Sequence, residues 1–249
     1  MAVELTVLGC SGSYGAPAGG ACSGYLVRTA HSTLWLDCGN GTLPNLQRHS
    51  PVDLTALVIT HWHPDHCADI YGLHVLLKYA RGALPVAAQP FPVYAPDGTE
   101  ARLGTLVDGD WGGVFAWSAV ADGDAVTVGD CGLRFSRTAH PPPTLAVELS
   151  ADGKRLVYTA DTGPDWSPEA FGPGTDLVLS EATFQRDIEN SGIHLSARQA
   201  GEAARAAGAR RLMLTHLWPG LDPTASVVEG SEAFGRDVLL AAPHQRTRI

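Results

Sequence analysis

A chain of 249 residues, 45% hydrophobic and 17% charged, is long enough to bury a large core and has neither a disordered nor a fibrous composition. No apolar run reaches the length of a membrane span, and a formal net charge of −9 is the wrong sign for a large RNA or DNA partner. Five cysteines with no CxxC spacing suit reduced thiols in a cytoplasmic protein better than a disulfide framework.

The N-terminus, Met1-Ala2-Val3-Glu4-Leu5, reads as a strand and not as a signal peptide. Residues 3–8 alternate, and a glycine-rich loop follows, Gly9-Cys10-Ser11-Gly12-Ser13-Tyr14-Gly15. Glycines permit close backbone approach and serines supply hydroxyls, so Ser11 and Ser13 are candidates for seating a phosphate. No Lys-Ser/Thr pair follows, so this is not a nucleotide-binding loop of that kind.

Residues 24–29 and 32–37 form a hairpin, and a short helix covers 43–49. The apolar run 54–60 is a buried strand. Ile70, Leu73, Leu76 and Leu77 then set a helical period over 67–79. Residues 81–110 combine a proline-rich link, a strand at 92–95 and a helix at 99–107. Strands are expected at 114–119, 125–128 and 132–139, then a hairpin at 145–150 and 155–160 around Asp152-Gly153. A strand at 176–180 is followed by a helix at 196–208, with Ser196 and Gln199 as a capping box and Gly208 as its stop. A strand at 211–215, a helix near 225–234 and a strand near 238–242 complete the chain. The reading is one α/β domain, residues 1–249, with helices covering the sheet faces.

Between the strand at 54–60 and the next helix lies Thr60-His61-Trp62-His63-Pro64-Asp65-His66. Imidazole nitrogens and carboxylate oxygens at this density are ligands for zinc or a similar divalent ion. His140, Asp161 and His216 each follow a predicted strand, where α/β folds place their sites. Singly, each is explained as a strand-end histidine or a turn residue. Together with His61, His63, Asp65 and His66 they supply enough donors for two metals. Two such ions can generate hydroxide near neutral pH and clamp both oxygens of a displacement. The remaining histidines carry less: His31, His49 and His244 read as solvated, and His74 as packing or support.

The segment Thr-His-Trp-His-Pro-Asp-His resembles the HxHxDH signature of the metallo-β-lactamase superfamily, and His140, Asp161 and His216 fall in its order. The resemblance implies an αβ/βα four-layer sandwich. It places His61, His63 and His140 on one metal, Asp65, His66 and His216 on a second, and Asp161 between them, with Asp65 also counted among the catalytic residues. Zinc suits this donor set; manganese or iron could take the same site.

Within the superfamily the chain is similar to ribonuclease Z and related cyclic-nucleotide phosphodiesterases. Leu-Gly-Cys-Ser-Gly-Ser resembles their first loop. Ser180-Glu181-Ala182-Thr183-Phe184 resembles their His-Glu-Ala-Thr segment, with Ser180 in place of the histidine. His194-Leu195-Ser196 resembles their His-Ser-Thr segment. The resemblance implies that Glu181 and His194 act together at the leaving group, and it suggests a homodimer. The long tRNA-gripping arm of ribonuclease Z, between the equivalents of His140 and Asp161, is replaced by a short hairpin. The expected function is therefore hydrolysis of a small phosphodiester, a cyclic nucleotide first, by a hydroxide bridging the metals. A tRNA 3′ endonuclease and a lactone, thioester or β-lactam hydrolase are the alternatives.

Overall fold

The computed structural model describes residues 3–16, 20–49, 53–80, 82–107, 111, 113–189 and 191–249. The readings that touch Met1, Ala2, Arg81 and residues 108–110 lie outside them.

The first half of the chain runs β1 (Glu4–Gly9), β2 (Gly24–Arg28), β3 (Thr33–Leu36), α1 (Thr42–Arg48), β4 (Ala56–Val58), α2 (Pro64–Cys67), α3 (Ile70–Tyr79), β5 (Phe91–Pro96), α4 (Thr99–Gly104) and β6 (Phe115–Val120). The second half runs β7 (Ala125–Val128), β8 (Cys131–Arg137), β9 (Leu145–Ala151), β10 (Lys154–Tyr158), β11 (Leu177–Glu181), α5 (Ala197–Ala206), β12 (Leu212–Thr215), α6 (Pro223–Phe234), β13 (Leu239–Leu240) and β14 (Arg246–Arg248). Among the described residues two sheets of seven strands result, ordered β14-β1-β2-β3-β4-β5-β6 and β13-β12-β11-β10-β9-β8-β7.

Period-two alternation explains why the sheets pack on both faces. On β3, Leu34 and Leu36 point inward to a core shared with Leu149 on β9, Tyr158 on β10 and Leu179 on β11. Trp35, between them, points outward and packs with Leu43 and Leu46 of α1 and Ile70 and Leu73 of α3. The second sheet does the same: Val157, Val178 and Leu212 face outward onto Ala197, Ala200 and Ala204 of α5. The layers are thus helix, sheet, sheet, helix, the sandwich that the resemblance implied. The capping box at Ser196 and Gln199 is formed, and Gly208 takes a positive φ just past the helix.

Three local readings are corrected. The expected helix at 67–79 is α3, which starts later, at Ile70, since Cys67 ends α2 and Asp69 turns back to cap α1. Its carboxylate accepts from Gly41 N at 3.1 Å and Leu43 N at 2.6 Å. The strand near 238–242 does not complete the fold, since β14 follows it, with Thr247 paired to Leu5 and Ile249 buried. Nor are His49 and His244 free in solvent; they are half-buried, with Nε2 of His49 2.9 Å from Nδ1 of His244. His74 is buried in packing, its Nε2 donating to the Trp111 carbonyl at 3.1 Å.

The two sheets are tied to each other by buried hydrogen bonds. Tyr25 and Thr215 hydroxyls lie 2.6 Å apart, the Tyr158 hydroxyl donates to Asp37 at 2.8 Å, and Leu145 N donates to Thr60 O at 3.1 Å. All three links sit at the edge of the sandwich where the histidine segment leaves β4. Between His140 and Asp161 lies the β9–β10 hairpin, so no long arm projects there.

Candidate metal centre

Residues from both sheets converge at this edge. His61, His63, Asp65 and His66 come from the β4–α2 connection and the first turn of α2. His140 follows β8, Asp161 follows β10, and His216 directly follows β12. Within one group, donor atoms of His61, His63, His140 and Asp161 all lie within 4.8 Å of one another; within a second, so do those of Asp65, His66, Asp161 and His216. Only Asp161 is common to both. Its Oδ2 is 3.7 Å from His61 Nε2 and 3.8 Å from His140 Nε2. Its Oδ1 is 3.2 Å from His66 Nε2 and 3.5 Å from His216 Nε2. One carboxylate therefore faces two clusters with different oxygens.

Four of the five imidazoles are aimed by a bond on the far side. His61 Nδ1 is 3.1 Å from Thr60 Oγ1, His66 Nδ1 is 2.7 Å from Asp37, His140 Nδ1 donates to Ile193 O at 2.9 Å, and His216 Nδ1 meets Thr183 Oγ1 at 2.9 Å. Those partners leave Nε2 as the free lone pair pointing inward. His63 is reversed: its Nδ1 faces the centre, 3.1 Å from His61 Nε2 and 3.2 Å from His140 Nε2. The Ser13 amide donates to Asp65 Oδ2 at 3.0 Å, so the glycine-rich loop supports Asp65. The Ser11 hydroxyl donates to the Tyr14 carbonyl at 2.7 Å.

Backbone strain is concentrated here. Asp37, Ala160 and His216 adopt φ of 54°, 52° and 55°. Left-handed conformations at residues other than glycine cost about 1 kcal/mol or more each and persist where the surroundings enforce them. A Cβ on Gly39 would collide with the Asp65 carbonyl, so only glycine lets that loop pass behind α2.

The electrostatics match a cation. Burial, followed by His66, holds His61 well below its ordinary pKa, and burial with His140 lowers His63. Burial opposes the charge on Asp65 and Asp161, yet the surrounding histidines hold both carboxyls below their usual range. Burial likewise opposes charge on His66, but Asp161, Asp37 and Asp65 together push it well above an ordinary histidine. A divalent ion would replace that proton. Two atoms make the same point geometrically: His66 Nε2 and Asp161 Oδ1 are fully shielded and, though 3.2 Å apart, make no well-aligned hydrogen bond with each other or with any other described residue. Buried polar atoms are rarely left so without a ligand. The donors present, imidazole and carboxylate, fit zinc or a similar divalent metal.

Glu181 and His194 lie beside this set. Glu181 is buried at the end of β11, and its oxygens accept from Thr162 N at 2.7 Å, Thr183 Oγ1 at 2.6 Å and His194 Nδ1 at 3.0 Å. His194 Nδ1 is also 4.0 Å from Asp161 Oδ2. Burial pulls His194 down, but Glu181 and Asp161 outweigh it and raise its pKa to about 9. Two supports were not singled out as site residues by sequence reading. Asp37 accepts from Thr60 N, Thr60 Oγ1, Tyr158 and His66, and Thr183 bridges Glu181 to His216. Asp37 carries no spacing signal and acts through partners 23 to 121 residues along the chain, whereas Thr183 lies within the segment that resembles His-Glu-Ala-Thr.

A four-layer sandwich whose two sheets meet in a histidine and aspartate cluster defines a metal-dependent hydrolase. The chain belongs to the beta-lactamase superfamily, whose domain profile matches residues 33–217. Among its relatives, an uncharacterized protein of Mycobacterium leprae is 35% identical over 242 residues, covering 93% of this chain and 84% of its own. The probable metallo-hydrolase YhfI of Bacillus subtilis is 32% identical over 217 residues, covering 86% and 87%. The crystal structure of YhfI superposes with a TM-score of 0.86 at 28% identity, over 99% of each chain. The ribonuclease Z branch aligns along nearly the whole length as well. The enzyme of Halorubrum lacusprofundi is 27% identical over 300 residues, covering 96% of this chain and 95% of its own.

Proposed function

We propose that the protein is a phosphodiesterase with two metal sites, acting on a small phosphodiester and on a cyclic nucleotide first. The observation that carries this reading is the Glu181–His194 pair, hydrogen-bonded at 3.0 Å and set beside Asp161. His61, His63 and His140 would hold one ion and Asp65, His66 and His216 the other, with Asp161 between them. Two divalent ions there would supply the positive charge that activates water and neutralises phosphate oxygens, the larger electrostatic contribution.

The chain's own groups do the rest. Glu181 accepts from Nδ1 of His194, which fixes the ring and leaves Nε2 as its other nitrogen for a ligand. Glu181 and Asp161 favour the charged form of His194, and the pair is placed to hold a proton for the departing sugar oxygen. The Thr162 and Leu195 amides also donate to Glu181 and keep the carboxylate from rotating away. A thioester, whose thiolate departs without a proton, has no use for such a pair. The short β9–β10 hairpin and the net charge of −9 favour a small substrate over a tRNA.

The test is a hydrolysis panel on metal-loaded protein: 3′,5′-cyclic AMP, a tRNA precursor, a lactone and a β-lactam. Turnover of the cyclic nucleotide that disappears on chelation is expected. Turnover confined to the lactone or β-lactam would overturn the reading, and salt-sensitive cleavage of the precursor alone would replace it with a ribonuclease Z activity.

A further inference from the structure

Three aromatic side chains stand one step outward from the centre. His194 and His216 are stacked, with ring centroids 5.7 Å apart and planes within 19°. Phe184 and Trp218 repeat that arrangement in the next layer, at 6.2 Å and 28°. Phe184 meets the edge of His194 at 6.0 Å, so the two layers touch. Tyr14, from the glycine-rich loop, meets Trp218 edge to face at 5.7 Å, and its hydroxyl lies 3.4 Å from the Pro219 carbonyl.

The three rings are held by backbone bonds to segments that carry site residues. Trp218 N donates to Thr183 O at 3.1 Å, Phe184 N to Leu195 O at 3.0 Å, and Gly12 N to Leu217 O at 3.0 Å. The wall is therefore fixed relative to His194, His216 and Asp65. Its outer rings are nevertheless left in water: Tyr14 is 48% exposed and Trp218 39%, whereas the five other tryptophans are buried or half-buried. Rigid aromatic rings that face solvent beside an anion-attracting centre have the chemistry to stack on a flat ligand group.

We propose that Tyr14, Phe184 and Trp218 form a stacking wall for the nucleobase of the substrate, which makes the substrate a nucleoside phosphodiester and not an aliphatic one. This rests on the phosphodiesterase reading above. A phosphate held by the metal ligands would place its sugar near His194, and the base would then reach outward past Phe184 to Trp218. Stacking reads the π-face common to all bases, so the wall selects for a base without choosing which one.

The experiment has two arms on the metal-loaded full chain. In the first, kcat/KM is compared for 3′,5′-cyclic AMP and for ribose 3′,5′-cyclic phosphate, which lacks the base. Trp218→Ala is expected to lower the ratio of the two about tenfold, equivalent to about 1.4 kcal/mol, and Trp218→Phe to restore most of it. The second arm uses no turnover. Calorimetry is expected to show 5′-AMP binding about tenfold more tightly than ribose 5-phosphate, with the advantage lost in Trp218→Ala and kept in Trp218→Phe. Equal affinity for the two ligands, or a preference that survives Trp218→Ala, overturns the wall. A protein that hydrolyses both cyclic phosphates without base preference keeps its phosphodiesterase assignment and loses the wall. One that prefers 5′-AMP yet hydrolyses no phosphodiester does the reverse.

Discussion

Asp37 Oδ2 lies 2.7 Å from His66 Nδ1, and neither side chain has any exposure to water. The bond fixes which nitrogen of His66 points at the centre, and the negative charge raises the basicity of that nitrogen. Carboxylates placed behind a metal-binding histidine commonly contribute 10- to 100-fold in metal affinity. Asp37→Asn should weaken binding at the cluster of Asp65, His66 and His216 by about that factor, and the other cluster less. Competition with a chromophoric chelator would measure it, and unchanged affinity at both clusters would remove Asp37 from the support of the site.

Removing metal should destabilise the fold as well as end activity. The clusters place Asp65, Asp161 and five imidazoles within a few ångströms, and bound cations offset the crowded carboxylates. Ligands that bind only the folded state stabilise it by mass action. The thermal midpoint should fall on treatment with chelator and recover with added zinc. Elemental analysis of the protein as purified would show how many ions it carries, and a count near two per chain is expected.

His194→Ala should lower kcat by about 10²- to 10⁴-fold on a cyclic nucleotide while metal content stays constant. The loss should shrink for a substrate such as bis(p-nitrophenyl) phosphate, whose leaving group needs no proton. Glu181→Gln should follow the same pattern with a smaller loss, since the amide can still hold the ring but no longer stabilises its charge. An equal loss on both substrates would mean that His194 supports the metals instead.

His49 gives a pH signature away from the centre. Burial, then His244, Arg246 and Arg28, hold its pKa below the ordinary histidine value. The unfolded chain therefore takes up this proton first as pH falls, and the associated stability is present above the unfolded pKa and lost below it. The urea midpoint should drop less between pH 7.5 and 5.5 in His49→Asn than in the parent protein. A parallel drop would show that the half-buried pair with His244 does not contribute.

Two substitutions probe the frame under the centre. Trp35→Ala empties a fully buried position between β3 and the helices α1 and α3, and should cost about 3–5 kcal/mol in chemical denaturation. Gly39→Ala should be worse for metal binding than for folding, because the new methyl meets the Asp65 carbonyl and displaces a site residue.

The parts of this protein that were legible in the sequence are those written in local pattern. Asp152-Gly153 between two apolar runs states a hairpin, and Ser196 with Gln199 states a helix start. The run from His61 to His66 states metal chemistry by density alone. What could not be read depends on distant partners. Asp37 looks like the last residue of a strand until β10 brings Tyr158 to it across 121 residues. Asp69 looks like the interior of one helix until α1 is seen to need its cap. The polar Arg246-Thr247-Arg248 has no apolar period of its own, and becomes a strand only because β1 offers a free edge.

The links from Tyr158 to Asp37 and from Tyr25 to Thr215 have a mechanical consequence. They join the two sheets directly beneath the centre, and the donor atoms themselves are divided between the halves: four residues from the first sheet's connections and three from the second's. Neither half of the chain holds a complete set on its own. Metal affinity is thus a gauge of how closely the halves are pressed together. Anything that shifts one sheet against the other by a fraction of an ångström, whether pressure, a mutation in the shared core or a partner gripping one face, should be felt as a change in metal retention before it is felt as unfolding.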